Sequence, residues 1–168
     1  MSKNTETPYP APKMGLPWEL KCKFARGQLT TLFKGIMRLI RENFGSATAL
    51  EIAEGFWRYD DRIPKMTRNL KNIFKIEGND IEAFMKWWNL YFEHAGLEVT
   101  WLEVNKTFIR WKVTECPWST PDPKDINGWC IIYCNIIDKT INPKAIHERP
   151  KGMCAGDPYC EHITRIEE

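Results

Sequence analysis

The chain has 168 residues and a formal net charge of +2, with 24 basic against 22 acidic side chains. That length supports one well-filled core, so a single domain is expected. With neither half strongly basic, nothing calls for a nucleic-acid partner.

Residues 1–17 carry Pro8, Pro10, Pro12 and Pro17, and read as a flexible N-terminal arm ahead of one domain over residues 18–168. The arm lacks the apolar run of a signal peptide. No later segment reaches roughly 18 consecutive apolar residues, so no membrane span and a cytoplasmic location are expected. In a reducing compartment the six cysteines read as thiols, metal ligands or nucleophiles rather than as disulfides. That includes Cys154 and Cys160, which bracket the turn "CAGDPYC".

From Trp18 the pattern is helical. Leu29, Leu32, Phe33, Ile36, Met37, Ile40 and Phe44 recur on one face, and Gly45 is a stop signal. A second helix is expected from near Ser46, with Ile52, Phe56, Tyr59 and Ile63 as its buried line and a break at Pro64. The basic residues Arg58, Arg62, Lys65, Arg68, Lys71 and Lys75 read as its solvated face. Asn79 with Glu82 resembles a capping box opening a third helix that ends at Gly96. The period then changes to two. "LEVTWLEVNKTFIRWKV" reads as a hairpin turning at Asn105-Lys106, with Ile109, Trp111 and Val113 on its packed face. A turn-rich stretch over residues 116–128 leads to a fourth helix, "WCIIYCNIIDKTI". A second hairpin closes the chain, with Gly156 and Asp157-Pro158 at its tip. The fold class is α/β of the α+β type: an N-terminal helical layer packed on a four-stranded antiparallel sheet made by two hairpins.

The chemistry-bearing residues cluster late in the chain. Cys130 and Cys134 share one helix face with Asp138 in line, and Cys160 and His162 share one face of the last strand. Cys116 leaves the second strand. With helix and sheet in adjacent layers, Cys116, Cys134, Cys154 and Cys160 can converge. Three chemistries stay open. These four cysteines are candidate ligands for zinc or iron, although no close CxxC pair exists. A thiolate served by His147, His162 or Asp138 is a candidate nucleophile. Buried cysteines acting as small apolar residues are the bland alternative, favoured for Cys22 and Cys130.

Cys116-Pro117 at a strand exit, Cys134 with Asp138 four residues on, and the Gly156-Asp157-x-x-Cys160 turn together resemble the L-2-amino-thiazoline-4-carboxylic acid hydrolase-like family. The closing turn also looks like the end of 4-vinyl reductase domains, which bind small molecules. The likeness spans roughly residues 25–168. It implies a small-molecule-binding domain that hydrolyses a C–N bond of a small cyclic amidine or thiazoline. Cys134, Asp138, Cys116 and Cys160 would form the catalytic group, with Trp118, Asp157 and His162 at the substrate. One departure is His162, where family members commonly place an aromatic residue. The alternative is a non-catalytic ligand-binding module of the 4-vinyl reductase kind, or a metal-binding module. The expected partner is a small-molecule ligand or substrate, and the plan is compatible with a homodimer.

Overall fold

A computed structural model describes residues 17–116 and 129–167. The N-terminal arm up to residue 16, Trp118 and the side chain of Cys22 lie outside the described residues. The elements run α1 (Trp18–Arg58), α2 (Arg62–Ile73), α3 (Ile81–Ala95), β1 (Val99–Val104), β2 (Phe108–Val113), α4 (Trp129–Ile141), β3 (Ala145–Lys151) and β4 (Cys160–Ile166). The four strands form one antiparallel sheet in the order β1-β2-β4-β3. Two hairpins thus join through their second strands, and helices pack on the sheet, as expected for the α+β class.

The break between the first two expected helices falls at Gly45, which adopts φ 87° and ψ 166°. That combination is open essentially only to glycine. The expected break at Pro64 is displaced. The chain turns earlier, at Tyr59–Asp61, where Asp60 and Asp61 both take positive φ. Pro64 instead sits in the first turn of α2, where its missing N–H has no intrahelical acceptor to lose. The capping expectation also shifts by one residue. Asp80, not Asn79, caps α3, accepting from the Ala83 N–H at 3.0 Å.

The long apolar stripe of α1 is the largest correction. Met37 is buried and Phe33 and Ile40 are half-buried, but Leu29, Leu32, Ile36 and Phe44 are exposed. Further along, Ile52, Phe56 and Tyr59 are also exposed, while Ala49 and Ala53 are buried. These small residues, one turn apart, let α1 approach Trp129 and Cys154, with which they share a core cluster. Periodicity marks an apolar face but does not say how much of it the rest of the chain covers. The basic residues of α2 behave as a solvated face, with exposed pairs Lys65–Asp60 and Arg68–Asp61.

The first hairpin turns without glycine because Asn105 supplies the turn. Its side-chain oxygen accepts from the backbone N–H groups of Thr107 and Phe108, both at 2.9 Å, a local substitute for a glycine-dependent turn. On β2, Ile109, Trp111 and Val113 are buried as expected. They meet α3 (Phe84, Trp87, Trp88, Phe92) and α4 (Cys134, Ile137, Ile141) in the main core.

Candidate functional site

A cavity of about 250 Å³ opens between the helices and the inner face of the sheet. Trp57, Trp88, Tyr91, Trp111 and Tyr133 contribute rings to its wall. Its polar or reactive lining consists of Arg149, His162 and five cysteines: Cys116, Cys130, Cys134, Cys154 and Cys160. A cavity with apolar walls and a few convergent polar groups is the usual form of a small-molecule site.

The sheet register places the key residues. β2 and β4 bring Trp111 opposite His162 and Val113 opposite Cys160. The rings of Trp111 and His162 stack at 5.4 Å. β3 and β4 set His147 opposite Thr164. Alternation therefore points Cys160, His162 and Thr164 to the helical side. A bulge between Glu148 and Lys151 accommodates Pro150, which could not donate to the ladder.

Behind the cavity wall lies a buried polar chain anchored on Asp138, which is 0 % exposed. Its carboxylate accepts from Trp88 Nε1 at 3.0 Å and from Thr164 Oγ1 at 2.6 Å. It also faces His147 Nδ1 at 2.8 Å. An ionised carboxylate can only accept, so His147 carries its proton on Nδ1 and presents Nε2 to His162 Nδ1, 2.9 Å away. One proton between those nitrogens satisfies both when it sits on His162. The other ring nitrogen of His162 is then left for Cys160, with which this side chain also hydrogen-bonds. The result is a continuous chain Asp138–His147–His162–Cys160, ending at the cavity.

Cys160 is the thiol that this environment ionises. The Met153 N–H donates to its sulfur at 3.2 Å. Hydrogen bonds with Cys116 first, then with His162 and that N–H, outweigh its burial and draw it down to about 4. His162 is also lowered to about 4, by burial first, so the neutral imidazole is its resting form at neutral pH. Three of the other cavity thiols go the opposite way. Burial pushes Cys134 well up, raises Cys130 to about 11, and raises Cys154.

Cys116, Cys134, Cys154 and Cys160 thus converge as the spacing suggested, and His162 joins them on the cavity wall. Three expected roles change. Asp138 belongs to the buried chain and serves His147, not Cys134. Cys134, expected as the nucleophile, is held well above the ordinary thiol range by burial first, then by Cys130 and Asp138. Asp157 lies away from the cavity lining and accepts from the Gly152 N–H at 2.8 Å, holding the hairpin tip. Trp118 falls outside the described residues. Cys154 and Cys160 both stand as thiols. Among the described residues, the group that could hold a metal ion is not the four cysteines but Cys134, His147 and His162. The sequence named His147, His162 and Asp138 together as partners for a thiolate without their order, and Arg149 in the cavity wall was missed. The alternation of His147 and Arg149 along β3, onto the face of His162, was the available signal.

No protein-family model and no curated protein matches this sequence. Solved structures do match in shape. One is a trafficking protein particle complex subunit 3 from Naegleria fowleri, covalently bound to palmitic acid, with a TM-score of 0.65 and 13% identity over 87% of this chain and 97% of that one. Another is the phenol-responsive sensory domain of the transcription activator PoxR with phenol, with a TM-score of 0.56 and 12% identity over 84% of this chain and 74% of that one. The likeness is one of fold. At such identities it assigns no activity. Among the described residues no helix is long and apolar enough to cross a membrane.

Proposed function

We propose that this protein binds a small, largely apolar molecule in the aromatic-walled cavity and reacts with it through Cys160. The observation that carries this reading is the placement of the Cys160 sulfur. It lies on the cavity wall, held by the Met153 N–H and hydrogen-bonded to both Cys116 and His162. Arg149 on the same wall suits a ligand bearing one carboxylate. Two structures of similar shape, one covalently bound to palmitic acid and one with phenol, support ligand binding by this architecture.

The reaction we favour is the one implied by the resemblance to thiazoline-carboxylate hydrolases, with Cys160 rather than Cys134 as nucleophile. The Cys160 thiolate forms a C–S bond to the electrophilic ring carbon, and the C=N electron pair moves onto the ring nitrogen, which takes a proton from water. The C–N bond then breaks as that nitrogen accepts a second proton, passed from water through His162, and leaves as an amine. Water attacks the resulting thioester-like carbon, releases the opened product and restores the thiol. Incubation with a series of five-membered cyclic amidine and thiazoline carboxylates, followed by intact-mass and product analysis, tests this. Turnover or a mass adduct mapped to Cys160 is expected. A ligand that quenches the cavity tryptophans without adduct or turnover would leave the non-catalytic binding module instead.

The same proposal includes a homodimer through the exposed stripe Leu32, Ile36 and Leu39 on α1, a larger apolar run than single exposed residues on a monomer surface. Sedimentation velocity is expected to give a dimer that Ile36→Glu dissociates. A monomeric wild type removes this part of the proposal.

A further inference from the structure

We propose that Cys134, His147 and His162 form a site for one borderline-soft divalent cation, zinc foremost, seated between the two imidazoles at the cavity wall. This deepens the reading of the cavity as the functional site, but does not require Cys160 to react. One ligand atom from each of the three residues lies within 4.8 Å of the others, and all three residues are buried. They come from α4, β3 and β4, so the fold itself assembles the group.

The two facing imidazole nitrogens, His147 Nε2 and His162 Nδ1, are 2.9 Å apart. Two lone pairs cannot meet at that distance without a positive particle between them. A proton fills the role when no ion is bound. Bound to one tetrahedral zinc at the usual bond lengths, the nitrogens would stand about 3.3 Å apart, so the pair opens by a few tenths of an ångström. Cys134 Sγ needs to approach to about 3.6 Å of each nitrogen, from a starting separation of at most 4.8 Å.

The surroundings fit a metal. Asp138 accepts from His147 Nδ1 at 2.8 Å and is itself held by Trp88 and Thr164. This is the carboxylate–histidine arrangement that fixes the tautomer and aims Nε2 at an ion. Charge also balances. A divalent cation with the Cys134 thiolate and the Asp138 carboxylate sums to zero, which a buried site favours. The histidines and one thiolate form a borderline-soft donor set, which suits zinc better than magnesium or calcium. Three protein ligands leave one position open. Because Cys134 and His162 line the cavity while His147 lies behind them, that position faces the cavity and is available to water or to an acidic ligand group. With the ion on Nδ1, the other nitrogen of His162 carries a hydrogen and donates it to Cys160, so metal binding and a Cys160 thiolate are compatible.

The test is titration of metal-stripped full-length protein with cobalt(II), followed by zinc competition. One equivalent is expected, with a thiolate-to-cobalt charge-transfer band that zinc abolishes. Cys134→Ser should remove the band, and His147→Gln should weaken binding at least tenfold. Asp138→Asn, which leaves all three ligands in place but alters the partner behind His147, should weaken it about 10–100-fold. Cys154→Ser should change neither. Circular dichroism of each variant separates loss of the ion from loss of the fold, and His162→Gln serves if Cys134→Ser does not fold. Failure of the wild type to bind overturns the proposal. So does a band that survives Cys134→Ser but is lost in Cys160→Ser, which would move the ion to the cysteine cluster. Iodoacetamide mapping of the same stripped samples reads the Cys160 chemistry separately, so either idea can fail alone.

Discussion

Cys160→Ser is expected to abolish covalent labelling of the cavity by a small alkylating agent at neutral pH, while Cys134→Ser leaves that labelling within a factor of two to three of wild type. The thiolate, not the thiol, is the nucleophile. Cys160 receives the Met153 N–H and is hydrogen-bonded with Cys116 and His162 at the cavity wall. Cys134 is buried beside Cys130 and Asp138, surroundings that oppose a negative sulfur in the absence of metal. Serine at position 160 keeps the size of the side chain but is a far weaker nucleophile. Its loss of labelling therefore reports chemistry rather than access. Peptide mapping after limited iodoacetamide treatment reads both variants. Labelling that persists in Cys160→Ser and concentrates on Cys134 would restore Cys134 as the reactive thiol and end the proposed role of Cys160. Cys116→Ser gives an intermediate expectation. It removes the first of the hydrogen bonds that stabilise the Cys160 thiolate, so labelling should slow without disappearing.

Element boundaries and the sheet were legible because they rest on local signals. Alternation at Ile109, Trp111 and Val113 fixed which face of β2 is buried, and Gly45, Gly96 and Gly156 marked points where the chain takes positive φ. Convergence of the cysteines was legible too, since a helix face and a strand face can be read from spacing. What spacing does not contain is depth. Asp138 and Cys134 lie in line on α4, yet one contributes to a polar chain behind the wall and the other to the wall itself. That difference depends on Trp88, Thr164 and His147, which lie 50, 26 and 9 residues from Asp138. The stripe on α1 failed for the same reason, because Leu32 and Ile36 have the right period but no partner element within the described chain buries them. The break expected at Pro64 shows a positional limit. Proline disrupts a helix interior, but the earlier turn at Asp60 and Asp61 placed it in a first turn, where it is tolerated.

Asp138→Ala is expected to be the most destabilising single change in the site, by about 3–5 kcal/mol. The carboxylate is fully buried and receives Trp88 Nε1, Thr164 Oγ1 and His147 Nδ1. Alanine leaves three donors in a dry interior, each costing about 1–3 kcal/mol when unsatisfied, with partial relief from side-chain rearrangement. For a domain of this size the melting temperature should fall by roughly 6–20 °C. Asp138→Asn keeps the shape and one acceptor but adds an amide hydrogen facing His147 or Thr164, so it should cost less. Trp88→Phe removes one donor and leaves one carboxylate lone pair empty, at about 1–3 kcal/mol. Because Trp88 and Asp138 share that bond, the double variant should be less destabilised than the sum of the two singles. Urea denaturation of the four proteins measures this. A cost under about 1 kcal/mol for Asp138→Ala would mean that the buried chain is not held by its carboxylate. His162 would then lack the anchored His147 that the proposed chemistry needs.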